Sequence, residues 1–164
     1  MRGPRSWSVP ILMPAKLKYF LFFLCAAAFF LSAAYLDLAL RARSSYLAGE
    51  RYMAWVRNPA LKKDFLDGVF SAKLRALEAE RDGGRLSGPD LEDKKNLLLA
   101  EHSFKTGESS AKYAYIWYKT AAADFSPPVT RWARLARQKA PEALALWKAE
   151  LKAGKIEFKD YQLE

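Results

Sequence analysis

The stretch Tyr19 to Leu40, YFLFFLCAAAFFLSAAYLDLAL, carries a single charge, Asp37, near its far end. A helix rises about 1.5 Å per residue, so roughly 20 apolar residues cross a hydrocarbon layer about 30 Å thick. The sequence therefore predicts a transmembrane helix over 19–40. Hydrophobicity on all sides over such a length is too much for a domain this small to enclose, which sets aside a buried core helix. A cleavable signal peptide remains as the alternative: Arg2, Arg5, Lys16 and Lys18 give a basic start, and Ser32-Ala33-Ala34 would serve as the cut. Against cleavage, Leu36, Leu38, Ala39 and Leu40 prolong the run beyond what a signal needs. The expectation is a retained anchor. A lipoprotein needs a small residue before its cysteine, and Leu24 precedes Cys25.

Three segments follow from this run. Residues 1–18 form a basic leader interrupted by Pro4, Pro10 and Pro14; residues 19–40 form the span; residues 41–164 suffice for one compact domain with its own core, and not for two. Basic residues are nearly balanced across the span, with Arg41, Arg43, Arg51 and Arg57 on its far side. Loop length decides the orientation, because long domains translocate largely regardless of charge. The N-terminus is expected in the cytoplasm and the domain in the periplasm or outside the cell, in a single-pass membrane protein.

Helical spacing dominates the remainder. The span should continue as helix through Val56 to a break at Asn58-Pro59. Leu61, Phe65, Leu66, Val69, Phe70, Leu74 and Leu77 place one apolar stripe on a second helix, about 60–81. A glycine-rich loop follows, then a helix over 91–105 with Asp90 read as its N-cap. Over 111–125, Ala111, Ala114, Tyr118, Ala121, Ala122 and Phe125 share one face, whereas Tyr113 and Trp117 lie on another beside Ile116. A helix with two apolar faces is packed on two sides. After Ser126-Pro127-Pro128 come a helix over 130–139, a break at Ala140-Pro141 and a last helix over 142–153, with a tail whose Ile156, Phe158 and Tyr161 are expected to dock on the body. The fold class is all-α: one N-terminal transmembrane helix followed by a small domain of about five helices.

Leu99-Ala100, a turn glycine at Gly107, then Ala114, Tyr118, Ala121 and Pro127 resemble a tetratricopeptide repeat, a helix-turn-helix unit, over residues 94–128. The segment departs from that pattern at Asn96 and Ser103 and in a longer turn after Gly107. The resemblance implies that these positions pack helix on helix in a domain that binds other proteins.

Candidate chemistry is sparse. The only cysteine, Cys25, lies in the span, so the domain has neither a disulfide framework nor a thiolate metal site. His102 is the only histidine, and no paired-histidine, nucleophile-elbow or phosphate-loop motif is present. No catalytic residue, metal or cofactor is predicted; Glu101, His102 and Glu108 are the nearest candidates for acid–base work. The net charge of +9 is better placed to act. Arg131, Arg134 and Lys139 can share a helix edge with Arg137 adjacent, while Trp132 points elsewhere, and such a stripe attracts anionic headgroups, an acidic partner or nucleic acid. The predicted function is a membrane-anchored protein-interaction module, holding a protein partner at the membrane or serving as an accessory subunit of a membrane assembly. Its expected contact residues are Tyr113, Trp117, Arg131, Trp132, Arg134 and Arg137, with Asp37 as a transmembrane contact. The alternatives are a small membrane-tethered hydrolase, or an electrostatic binder of anionic lipid or nucleic acid. Nucleic acid is disfavoured for a domain outside the cytoplasm.

Overall fold

A computed structural model describes residues 15–127 and 129–163. The leader prolines Pro4, Pro10 and Pro14, together with Pro128, lie outside the described residues. Those residues contain five α-helices and no strand. They divide into two compact units, the first running to Leu38 and the second from Ala39.

In the first unit, helix α1 (Ala15–Arg57) begins inside the basic leader and contains the apolar run. It is long and apolar enough to cross a membrane. Its large side chains are exposed, Phe29 to 69% and Leu31 to 72%. A core helix would cover them.

The second unit contains the end of α1, then α2 (Pro59–Asp82), α3 (Gly88–Gly107), α4 (Ser110–Lys119) and α5 (Arg131–Ala153). Pro59 confines Asn58 to extended backbone, φ −139° and ψ 91°, which ends α1; the Asn58 side chain then accepts from the Ala60 amide at 3.2 Å and starts α2. Helix α3 starts earlier than Asp90. Ser87 is its N-cap and accepts from the Asp90 amide at 3.3 Å, because Pro89 is preorganised for a first helical turn and draws the start toward itself. Ser109 caps α4 by accepting from the Lys112 amide at 3.0 Å.

Helices α2 and α3 form one antiparallel pair, tied at its two ends by Lys62 to the Thr106 carbonyl and by Lys94 to Glu80. Helices α4 and α5 form the other, with Tyr115 against Trp147 and Ser109 donating to Glu150. The 94–128 segment thus contributes one helix to each pair. The core gathers on α4 and the turn after it: Ala114, Tyr115 and Tyr118, with Ala121 and Ala122 just beyond Lys119, meet Met53 of α1 and Ala136 and Ala143 of α5. Alanine on facing sides lets α4 and α5 approach closely. On its other side α4 meets α1, where the Tyr118 ring lies against Gly49 and the Tyr118 hydroxyl donates to Glu50 at 2.7 Å. Of the two apolar faces expected of this segment, the one with Ala111, Ala114, Tyr118, Ala121 and Ala122 is buried, whereas Tyr113 and Trp117 are half-buried and Ile116 is 40% exposed.

Two expectations fail here. The sequence places a break between two helices at Ala140-Pro141, yet α5 runs through Pro141 without one. Pro141 has no amide to offer the carbonyl one turn back, a local cost of about 3 kcal/mol. Apolar residues on both sides of it, Ala136, Ala140, Ala143, Leu144 and Trp147, pack on one core and hold the helix together. The tail also differs: Ile156 and Tyr161 are 57% and 72% exposed, and only Phe158 is half-buried. Lys148 binds Asp160 at 2.7 Å, so a polar contact fastens the tail rather than its rings.

Candidate functional site

Helix α2 repeats at three and four residues through Lys62, Phe65, Leu66, Val69, Phe70 and Lys73, and α3 does so through Leu98, Glu101, His102 and Lys105. These two stripes face a groove of about 520 Å³, which Tyr52 and Trp55 of α1 and Tyr113 of α4 close from the other side. An apolar stripe at this spacing ordinarily becomes core. Only its Leu66 does: Phe65 stays 47% and Val69 36% exposed, and Phe104 on α3 is 64% exposed. The apolar face is larger than the core it meets.

Aromatic rings make one continuous wall. Trp55 lies 5.4 Å from Phe65 and 4.8 Å from Tyr52, edge to face, and Tyr52 stacks on Tyr113 at 5.3 Å. The rings of Tyr52, Trp55 and Tyr113, on α1 and α4, hold one another and present area with little side-chain entropy left to lose.

The rim is charged and mutually satisfied. Lys62 donates to the carbonyls of Thr106 at 2.8 Å and Glu108 at 2.6 Å, at the C-terminal end of α3, where helix carbonyls are unpaired and the dipole is negative. Burial lowers the pKa of its ammonium, against the pull of Glu108 and Glu150. Glu101 accepts from Lys105 and, at 2.9 Å, from Lys73. Those two hydrogen bonds, Lys105 first, hold its carboxyl at about 2. Because that value lies below the ordinary 4.5, what Glu101 adds to stability is present above 4.5 and is lost as pH falls toward 2. A carbon-detected NMR titration, with the signal assigned by Glu101→Gln, should give a midpoint near 2; one near 4.5 would show that the two lysines do not hold it.

His102 Nε2 lies 2.8 Å from Asp67 Oδ1, and its ring sits 5.1 Å from that of Phe70. The three groups nearest to acid–base chemistry in the sequence, Glu101, His102 and Glu108, thus share one groove, and Asp67 joins them from 35 residues upstream. Among the described residues, the lining contains no serine, threonine or cysteine. Glu101 is committed to two lysines and His102 to an aspartate. The arrangement accepts apolar surface and fixes its own charges at the edge.

The predicted contact residues fall in separate places. Tyr113 enters the groove wall. Trp117 is half-buried on α4 and does not line the groove. Trp132 is half-buried with the Tyr46 ring 5.5 Å away, Arg43 at 5.8 Å and Arg131 at 5.7 Å from its own ring. Arg134 is exposed one turn further along α5. Arg137 is occupied inside the unit: its Nε and Nη2 donate to the Ala122 carbonyl at 3.3 and 3.2 Å, and Nη2 also to Ser126 Oγ at 3.1 Å. That carbonyl belongs to a π-helical turn, Thr120–Asp124, that ends α4 and whose wider winding departs from α-helical bonding. Asp37 is exposed on α1 in the first unit. Trp55 and Phe65 are not among the candidates, because their only signal is helical apolar spacing indistinguishable from core; Asp67 lies on the charged face of α2, where nothing marks it as different from a solvated acid.

No protein-family model, curated protein or solved structure matches the chain. What the fold and the site define is a class: an all-helical protein with one helix long and apolar enough to cross a membrane, and an aromatic groove in the unit that follows.

Proposed function

We propose that the chain is a single-pass membrane protein whose helical unit holds a protein partner at the membrane, as a docking module or an accessory subunit of a membrane assembly. The observation that carries this reading is the uncovered stripe of α2, Phe65 and Val69 facing Phe104 across a groove with a rigid aromatic wall. A groove of this kind suits an apolar helix face presented by a partner, with the paired charges at its edge excluding wrong registers. Residues 19–40 would anchor the chain, the N-terminus would lie in the cytoplasm, and the helical unit outside it. The anchor raises the partner's local concentration, so modest groove affinity suffices. The tetratricopeptide-like pattern over 94–128 agrees with a protein-binding role.

Site-specific photo-crosslinking in native membranes tests this. A photoreactive residue at Phe104, in the groove, should give one discrete heavier species; the same residue at Leu97, exposed to 71% but outside the groove, should not. Equal adducts at both positions, or none at Phe104, would overturn the groove as the docking site.

A further inference from the structure

Two guanidinium groups lie against the ring of Trp132, Arg43 at 5.8 Å and Arg131 at 5.7 Å. Both arginines are exposed, as is Arg134 one turn on. Among the described residues none of the three has a carboxylate partner, in contrast to the groove lysines Lys73 and Lys105. Glu50, beneath Tyr46, is taken by the Tyr118 hydroxyl at 2.7 Å. Two unpaired guanidinium groups held on an indole form a fixed cationic surface, and a guanidinium fork matches the geometry of a phosphate oxygen pair.

The chain itself restricts what can reach this surface. Arg43 follows Leu40, the last residue of the apolar run, by three positions. Three residues extend at most about 11 Å, and the headgroup layer is about 5–8 Å thick on each face of a bilayer. With the run in the hydrocarbon, Arg43 is confined to the headgroup layer or its immediate edge, and it carries Trp132 and Arg131 with it.

We propose that Arg43, Trp132 and Arg131, with Arg134 beside them, bind the phosphodiester of an anionic phospholipid headgroup. Tryptophan and arginine are the side chains suited to this layer, the indole to its apolar border and the guanidinium to its phosphates. The site rests on the reading of residues 19–40 as a membrane anchor and adds a lipid preference to it.

The test uses the full chain in lipid nanodiscs. Tryptophan quenching is compared for brominated phosphatidylglycerol and brominated phosphatidylcholine, each diluted in the same unbrominated phosphatidylcholine. The Trp132 signal is the difference between the unchanged chain and Trp132→Phe. Phosphatidylglycerol should quench it more strongly, and Arg43→Gln or Arg131→Gln should each lower that preference roughly fivefold. Because both arginines are exposed, these variants keep the fold even where Trp132→Phe would disturb it. Equal quenching by the two lipids, or a preference untouched by both arginine variants, overturns the site while co-elution of chain and disc upholds the anchor. Failure to co-elute overturns the anchor and the site with it.

Discussion

Replacing Gly49 by leucine is expected to collapse the packing of the helical unit, and replacing it by alanine to weaken it by about 1–2 kcal/mol net. A Cβ at this position would stand 2.6 Å from Tyr118 Cε1 and 2.7 Å from Cδ1. The ring cannot step aside, since Tyr118 is fully buried and its hydroxyl is fastened to Glu50, the residue after Gly49. Overpacking of this sort costs about 1–3 kcal/mol for one methyl and more for a branched side chain. Alanine recovers up to about 1 kcal/mol through helix propensity, which is why the two substitutions should differ so much. Gly68 is the control. Nothing lies within 4 Å of a Cβ placed there, so Gly68→Ala should stabilise by roughly 0.5–1 kcal/mol. Denaturant unfolding of the detergent-solubilised chain, followed by tryptophan fluorescence, measures all three; effects of the same sign at both glycines would refute the contact.

Tyr118→Ala should cost about 3–5 kcal/mol by cavity formation alone, and Tyr118→Phe about 1.5–3 kcal/mol for the lost hydrogen bond to a carboxylate. The pH dependence separates the hydroxyl from the ring. Burial, then the hydrogen bond with Glu50 and its charge, raise the Tyr118 pKa above the ordinary 10.0. The folded chain therefore keeps this proton after the unfolded chain has released it. Its contribution is complete below 10.0 and declines as pH climbs past that value. Tyr46 and Tyr113 shift in the same direction, burial first in each case, and add to the same alkaline loss. Stability profiles should fall above pH 10.0 for the unchanged chain and fall less steeply for Tyr118→Phe. Parallel profiles would mean that the phenol ionises as readily folded as unfolded.

Patterns that a helix writes along its own length were legible. The apolar run, the stop at Asn58-Pro59, the stripe on α2 and the small-residue face around Tyr118 each depend on spacing within one element, and the structure places them as that spacing requires. Features set by partners distant in sequence were not. Pro141 looked like a boundary because its local cost is visible in the sequence while the core on either side of it is not. Asp67 and His102 meet only because α2 and α3 run antiparallel. The stripe Phe65, Leu66, Val69 and Phe70 gave no sign that half of it would stay uncovered, since a binding face and a core face share one periodicity. Spacing along α5 groups Arg131 with Arg134 on a basic edge and points Trp132 elsewhere, but Arg43, which meets the Trp132 indole beside Arg131, comes from another helix.

The core of the helical unit is unevenly distributed, and this has a consequence for motion. Around α4 the buried residues form one continuous cluster, whereas among the described residues the α2–α3 pair contributes only Leu66, Leu91 and Leu98 as buried side chains. Segments with few buried contacts open locally at a fraction of the global unfolding free energy. Amide protons of α2 and α3 should therefore exchange with solvent well before those of α4. The groove then has one rigid wall, made by α1 and α4, and one compliant wall that an occupant must order, so affinity at this groove is set as much by quieting the hairpin as by covering its rings.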